Sequence, residues 1–172
     1  MNICVFCASS TELDSEYYTL ARTLGTWIGS KEHTLVYGAA NIGMMGELAR
    51  SAHKAGAKTV GIAPKIFDQS RHYSELDKCY ITETFSERKQ LMIDQSDAFI
   101  VMPGGVGTLD ELFEILTLKR VENFSKPLIL LNTNGFYSTL LTFIEELNKK
   151  HFSSETIWSD VQVVESIEEI KL

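Results

Sequence analysis

The chain has 172 residues and a formal net charge of −7, with 44% hydrophobic and 23% charged residues. This length predicts one domain spanning residues 1–172, large enough to bury a core without disulfides. The acidic balance argues against general nucleic-acid binding, in which lysine and arginine displace counterions. It is compatible with a small phosphorylated ligand, because backbone N–H groups supply positive potential locally.

The N-terminus lacks the basic start and long apolar segment of a signal peptide, and no apolar run approaches the ~20 residues of a membrane span. We therefore expect a cytoplasmic protein without membrane partners. Cys4 and Cys7 form a C-x-x-C pattern inside a strand-like run. Residues three apart on a strand point to opposite faces, which predicts reduced, structural cysteines. The four histidines have no metal-ligand spacing, so we expect no metal.

Short apolar runs alternate with segments of helical periodicity along the chain. The predicted strands are Ile3–Cys7, Thr34–Tyr37, Thr59–Ala63, Ala98–Met102, Leu128–Leu131 and Val161–Val164, with Cys79–Thr82 as a further short candidate. The predicted helices are Ser15–Ser30, Met44–Ala55, Ser86–Gln95, Thr108–Val121 and Ser138–Lys150, with a short last helix opening at Ser166. The alternation predicts an α/β, Rossmann-like fold, a doubly wound parallel sheet with helices on both faces.

With the six longer strands numbered in chain order, we expect the sheet order 3-2-1-4-5-6. Its switch point then lies between the first and fourth of these strands. Ligands of such sheets bind at the carboxyl ends of the strands that flank the switch. The topology therefore selects two loops as the predicted site, 8–10 and 103–108.

The second of these loops carries three glycines, Gly104, Gly105 and Gly107, between a buried strand and a helix. Glycines let a ligand approach the backbone closely, and the helix dipole favours an anion. We interpret the loop as a phosphate site. It matches neither G-x-G-x-x-G nor the Walker pattern, which argues against a dinucleotide and against ATP-driven chemistry.

Thr108 and Glu111 have the spacing of a capping box, with Thr108 as the predicted helix cap. Glu111 can then be structural and bond its own backbone, or it can face the loop and orient water or a sugar hydroxyl. Glu114 lies one turn later and can extend the same face or remain a solvated charge.

Arg88 and Lys89 open the helix that we predict Ser86 to cap, and cations there oppose the helix dipole. This cost predicts a compensating anion, which we interpret as ligand phosphate or carboxylate; the alternative is a solvated surface pair. The junction at 37–46 is another strand–turn–helix segment, in which Met44 and Met45 are interpreted as core or dimer-interface residues.

Together these segments resemble the LOG (Lonely guy) family, cytokinin riboside 5′-monophosphate phosphoribohydrolases whose bacterial members often carry the label "lysine decarboxylase-like". The resemblance is carried by Ile3–Ser10, Tyr37–Gly46, Glu87–Lys89, Pro103–Glu111 and Lys126–Leu128. It implies a homodimer without a redox cofactor. It also implies hydrolysis of an adenine-type nucleotide to free base and ribose 5-phosphate.

The P-G-G-x-G-T-x-x-E motif and its upstream R-K place the family's essential residues on Glu111 and Arg88. The family's nucleotide contacts match Lys89, Gly104, Gly105, Gly107 and Thr108, and a family threonine matches Thr117. The predicted substrate-binding set adds Ser9, Val106, Asp110 and Glu114 from the two loops and the following helix.

The chain departs from the family pattern at several positions. Ala8, Ala39 and Ala40 stand where the family has glycine, Phe85-Ser86 replace Met-His, and Leu118 replaces a tryptophan. Each added methyl group narrows a place where the backbone meets a ligand. The preferred base is therefore left open by the sequence, as is the level of activity.

The resemblance implies a mechanism in which Glu111 stabilises an oxocarbenium-like ribose and activates water. Arg88 and the 104–108 amides would hold the 5′-phosphate and so position the reacting carbon. Three alternatives remain: a non-catalytic carrier of a nucleotide or a molybdenum-cofactor-like ligand, a pyridoxal-phosphate decarboxylase, and an interaction protein on this fold. The decarboxylase needs a Schiff-base lysine, for which the sequence offers no strong candidate.

Overall fold

The computed structural model describes residues 1–67, 72, 74–121, 124–153, 158 and 160–172. Within these ranges seven strands form the sheet: β1 (Asn2–Phe6), β2 (Thr34–Tyr37), β3 (Thr59–Pro64), β4 (Lys78–Thr82), β5 (Ala98–Val101), β6 (Leu128–Leu131) and β7 (Val161–Val164). The α-helices in the same ranges are α1 (Ser15–Ser30), α2 (Gly43–Lys54), α3 (Phe85–Asp94), α4 (Val106–Val121) and α5 (Ser138–Lys149). Short 3₁₀ turns lie at Thr133–Gly135, between β6 and α5, and at Ile167–Glu169, after β7.

The sheet is parallel and has the order β4-β3-β2-β1-β5-β6-β7. The predicted α/β class and the predicted order of the six longer strands are confirmed, and the short candidate strand is β4 at one edge. β1 pairs with both β2 and β5, which places the switch point where the sequence predicted it. The one-domain organisation of residues 1–172 stays a prediction.

Both faces of the inner strands β1, β2, β3, β5 and β6 are largely buried, as their continuous apolar runs indicated, whereas the edge strands β4 and β7 are partly exposed. α1 and α2 cover one face, and α3, α4 and part of α5 cover the other. Cys4 packs in one core and Cys7 in the opposite one, and both thiols are free. The prediction of structural, unpaired cysteines on opposite faces is confirmed. No described helix is long and apolar enough to cross a membrane.

The start of α3 differs from the prediction. The helix begins at Phe85, and Thr84 caps it: the Thr84 hydroxyl accepts the Glu87 N–H at 3.1 Å and the Glu87 carboxylate accepts the Thr84 N–H at 3.3 Å. The prediction that Ser86 caps this helix is wrong, because the reciprocal capping box formed two residues earlier.

The start of α4 also differs. The helix begins at Val106, and the Leu109 N–H already donates to the Gly105 carbonyl at 3.0 Å. Thr108 therefore lies inside the first turn, so the predicted cap at Thr108 and its capping box with Glu111 are wrong. The carboxylate of Glu111 is free to leave its own helix terminus for a tertiary partner.

The start of α2 packs directly on the loop that follows β1. Gly43 has φ +60°, and a Cβ there would lie 2.5 to 2.7 Å from backbone atoms of Ser9 and Ser10. The Met45 N–H donates to the Ala8 carbonyl at 3.3 Å. These contacts fix the 8–10 loop beside the switch point, because only glycine allows so close an approach in this conformation.

Candidate active site

Two adjoining cavities, each of about 330 Å³, open at the carboxyl end of the sheet. The first, the loop cavity, is lined by Cys7, Ala8, Ser9, Ser10, Met45, Phe67, Phe85, Arg88, Gly105, Gly107, Thr108 and Glu111. The second, the apolar cavity, is lined by Ser9, Gly38, Ala40, Ile42, Met45, Ile66, Phe67, His72 and Arg88. Because four residues line both, the two cavities form one continuous cleft beside the predicted loops.

A buried ion pair stands where the cavities meet. Arg88 Nη2 lies 2.7 Å from Glu111 Oε1, and the two side chains are only 11% and 4% exposed. Arg88 Nε donates to the Ile62 carbonyl at 3.3 Å, which anchors the guanidinium at the end of β3. A Cβ at Gly38 would lie 2.8 Å from Arg88 Nη2, so this glycine leaves the room that the arginine fills.

Burial raises the pKa of Glu111 above its ordinary value, and the adjacent Arg88 opposes that shift. The 2.7 Å contact is the geometry of a charge-assisted hydrogen bond between an ionised pair. Of the two interpretations that the sequence left open for Glu111, the capping one is overturned. The carboxylate faces Arg88 across the cleft rather than its own backbone.

Lys89 has protein partners as well. Its Nζ contacts Asp110 Oδ2 at 3.0 Å and the Glu114 carboxylate, and the lysine side chain is 17% exposed. Burial opposes the lysine charge, but hydrogen bonds to Glu114 and Asp110 outweigh it and raise the pKa of Lys89. The anion predicted to compensate the α3 cations is thus supplied within the chain, by carboxylates of α4.

Gly105 and Gly107 face open space. A Cβ at either position would meet no atom within 4 Å, and neither residue has a positive φ. Packing and backbone conformation therefore do not require glycine here, although both residues line the loop cavity. Gly104 differs, since a Cβ there would lie 2.2 Å from Thr108 Oγ1. The first N–H groups of α4 lack intrahelical acceptors, and the helix dipole favours an anion beside them.

The structure brings together half of the predicted site residues in the loop cavity: Ser9, Arg88, Gly105, Gly107, Thr108 and Glu111. Gly104 lines a neighbouring cavity of about 270 Å³ behind the loop. The other predicted residues line neither half of the cleft. Val106 is 84% exposed, and Asp110, Glu114 and Thr117 line a shallow depression on the outer side of α4. Lys89 forms ion pairs with Asp110 and Glu114.

Several cavity residues were missed by the sequence argument. Ile66, Phe67 and His72 come from the segment after β3, where no motif marked them. Phe85 had a usable signal, because it lies three residues before Arg88 and so shares its helix face. Among the described residues, no group of three or more histidine, cysteine, aspartate or glutamate side chains could hold a metal ion.

A family model described as "Possible lysine decarboxylase" matches residues 45–171. A cytokinin riboside 5′-monophosphate phosphoribohydrolase from Rhodococcoides fascians is 36% identical over 97% of this chain and 85% of its own length. The chain belongs to the LOG family.

Other relatives agree with this assignment. A phosphoribohydrolase of the same name from Mycobacterium tuberculosis is 36% identical over 97% of this chain and 89% of its own length. An Arabidopsis thaliana member is 39% identical, covering 90% of this chain and 72% of its own length. These relatives extend along most of the chain, so the resemblance is not limited to the glycine-rich loop.

Solved structures share the fold. A molybdenum cofactor binding protein from Rippkaea orientalis superposes with a TM-score of 0.72 at 24% identity, covering 97% of this chain and 90% of that chain. The molybdenum cofactor carrier protein of Chlamydomonas reinhardtii superposes with a TM-score of 0.73 at 22% identity, covering 97% of this chain and 91% of that chain. At this identity the likeness establishes the fold alone.

The departures from the LOG pattern fall at different depths. Ala8 and Ala40 line the cleft, so their methyl groups do narrow it. Ala39 does not: it is fully buried with φ +66°, and its methyl group lies 2.8 Å from where a Cβ of Gly61 would stand. The expectation of a ligand contact at position 39 is therefore wrong.

Replacing Arg88 by methionine should lower the free energy of unfolding at neutral pH by roughly 3–5 kcal/mol, because Glu111 would be left as an unpaired buried charge. Without the guanidinium, the already raised pKa of Glu111 rises further. A raised folded-state pKa means that stability falls as pH rises through it, so the penalty should shrink as the solution is acidified.

Urea unfolding of the parent protein and of the Arg88→Met variant between about pH 8 and pH 5 measures how the loss of stability depends on pH. The matched control is Arg88→Met in a Glu111→Gln background, where no charge is stranded and the pH dependence of the penalty should disappear. A penalty of equal size across this pH range in the single variant would contradict the ion-pair assignment.

Proposed function

We propose that the chain is a nucleoside 5′-monophosphate phosphoribohydrolase, which hydrolyses the N-glycosidic bond of AMP or of a cytokinin riboside 5′-monophosphate. The products are free base and ribose 5-phosphate. One observation carries the proposal. The buried Glu111, paired with Arg88, lines the same cavity as Gly105 and Gly107, and a Cβ at either glycine would meet no atom within 4 Å. The names of the relatives at 36–39% identity support the same activity.

The phosphate is assigned to the start of α4. The unpaired N–H groups of the first helical turn and the helix dipole would hold its negative charge, with Ser9 and Thr108 as hydroxyl donors on the cavity wall. A phosphate there leaves the ribose beside Arg88 and Glu111. The cleft of two cavities of about 330 Å³ each has the size typical of small-molecule sites.

The chemistry follows from Glu111. As the bond between C1′ and the base nitrogen breaks, the base takes the electron pair and the ribose gains positive charge, which a nearby carboxylate stabilises. Water then adds to C1′, and Glu111 accepts the proton that the water loses. The departing base takes up a proton from solvent, and Glu111 returns its own proton to solvent, so the products are neutral base and ribose 5-phosphate. Arg88 keeps the carboxylate oriented and ionised, and remote phosphate contacts position the reacting carbon.

A non-catalytic carrier would need the phosphate loop but not a buried glutamate at its wall. The likeness to molybdenum cofactor carriers is below 25% identity and supports the fold alone. A pyridoxal-phosphate decarboxylase needs a lysine beside its cofactor. No lysine of the described residues lines either cavity, and Lys89 is bound to two carboxylates.

We also propose a cytoplasmic homodimer. The free thiols Cys4, Cys7 and Cys79 are typical of a reducing compartment. Apolar side chains lie on both sides of α4: Leu112 and Ile115 are buried, while Phe113 and Val121 are 41% and 65% exposed. A groove of about 250 Å³ between α4 and α5 continues this outer surface. Such a stripe on a helix is typical of an interface.

Replacing Phe113 by glutamate should convert the dimer into a monomer, because a charge in the centre of an apolar interface stays unpaired on association. Light scattering after size exclusion gives the mass, which should be twice that of one chain for the parent protein. Ile81→Glu, which changes a 42% exposed side chain on the edge strand β4, at the opposite edge of the sheet from β7, is the control and should stay dimeric. A monomeric parent protein would refute the dimer.

Replacing Glu111 by glutamine should lower the kcat for AMP by roughly two orders of magnitude or more while AMP still binds, because the amide cannot accept a proton or stabilise positive charge. The measurement is chromatographic detection of adenine released from AMP. Glu145→Gln, an exposed carboxylate of α5, is the matched control. Near-normal hydrolysis by the Glu111 variant would refute its catalytic assignment, and no release by the parent protein from any nucleotide would refute the function.

Gly105→Ala and Gly107→Ala should each weaken AMP binding by roughly tenfold or more, since a methyl group would occupy the space reserved for phosphate. Neither should destabilise the fold, and Gly107→Ala should stabilise α4 by up to about 1 kcal/mol. Gly104→Ala is the contrasting variant, because its methyl group meets Thr108 and should cost stability. Calorimetry and thermal unfolding separate these effects; unchanged AMP affinity in both variants would contradict the phosphate site.

A further inference from the structure

Two phenylalanines from different elements meet at the mouth of the cleft. The ring centroids of Phe67 and Phe85 are 5.5 Å apart, with an angle of 80° between the ring planes. Each residue is 49% exposed, and neither belongs to the cores described for the two faces of the sheet. Half of this aromatic surface is therefore left to solvent, although burying it would be favourable.

The place of the pair is fixed by contacts behind it. The Lys65 N–H donates to the Thr82 carbonyl at 2.8 Å, and the Lys65 ammonium pairs with Glu83. These contacts join the segment after β3 to the segment before α3. Phe85 is the first residue of α3, directly after the Thr84 cap. Both rings thus stand on backbone that is held by hydrogen bonds.

The rings lie beside the reacting groups. Phe67 lines both halves of the cleft, and Phe85 lines the loop cavity. Phe85 precedes Arg88 by three residues and shares its face of α3. With phosphate at the start of α4 and ribose at Glu111, the remaining part of a nucleotide, its base, extends past Arg88 to the place where these rings stand.

We propose that Phe67 and Phe85 are substrate-binding residues that receive the nucleobase by aromatic contact. This inference rests on the proposed function, whose phosphate and ribose positions set the direction of the base. Two rings at 80° present a face and an edge, so a planar base stacked on one ring meets the edge of the other. Base–aromatic stacking of this kind is a substantial and sequence-tolerant source of affinity.

The experiment compares AMP with ribose 5-phosphate, which carries the phosphate and sugar but no base. Binding is measured by calorimetry in a Glu111→Gln background, so that AMP is not consumed. Phe67→Leu and Phe85→Leu keep apolar bulk but remove the ring. Each should weaken AMP binding by about tenfold and leave ribose 5-phosphate binding unchanged. Phe85→Trp should restore AMP binding, and Phe152→Leu should change neither ligand.

The same contrast should appear with Glu111 present: the leucine variants raise the KM for AMP and leave inhibition by ribose 5-phosphate as it was. Leucine variants that bind AMP as tightly as the parent, or lose both ligands equally, would overturn the aromatic contact while leaving hydrolysis untouched. A parent protein that releases no adenine, yet binds AMP in a ring-dependent way, would instead refute the proposed activity alone. Equal affinity of the parent for both ligands would overturn the inference as well.

Discussion

The buried ion pair between Arg88 and Glu111 is the interaction on which the cleft depends. Arg88 reaches from α3 to the end of β3, and Glu111 comes from the helix after β5, so the pair spans the switch point of the sheet. The burial of each charge has a cost that its partner offsets, and Arg88 has a further acceptor in the Ile62 carbonyl. The guanidinium opposes the rise in the pKa of Glu111 that burial causes, and it holds the carboxylate at the wall of the loop cavity.

Much of the fold was predictable because the inner strands are largely buried on both faces and therefore form continuous apolar runs in the sequence. The order of the six longer strands followed from the alternation of strands and helices, since 3-2-1-4-5-6 is a common order of doubly wound sheets. Helix starts were less predictable for a local reason. Thr84–Glu87 and Thr108–Glu111 have the same capping-box spacing, yet only the first forms the box. Spacing cannot tell which glutamate finds a tertiary partner.

Part of the candidate site was likewise predictable from the sequence, and part was not. The loops after β1 and β5 were predicted from topology alone, and both line the cleft. The wall built by Ile66, Phe67 and His72 was not predicted, because it follows β3 through a segment without a motif. The positive charges of α3 predicted a compensating ligand anion, but Lys89 contacts the carboxylates of Asp110 and Glu114 instead. A sequence shows that a charge needs a partner without showing whether the partner is ligand or protein.

The left-handed backbone at Ala39 links two positions that are far apart in the chain. Its methyl group occupies the space beside Gly61 on the neighbouring strand, and the residue itself is completely enclosed. A Cβ at position 61 would also lie 2.7 Å from Leu76 Cδ1 and 3.2 Å from the Ala39 Cα, so three neighbouring atoms crowd this point on β3. Glycine at position 39 would remove one of these three contacts and leave the other two, so the close approach of this loop to β3 would still crowd a side chain at position 61.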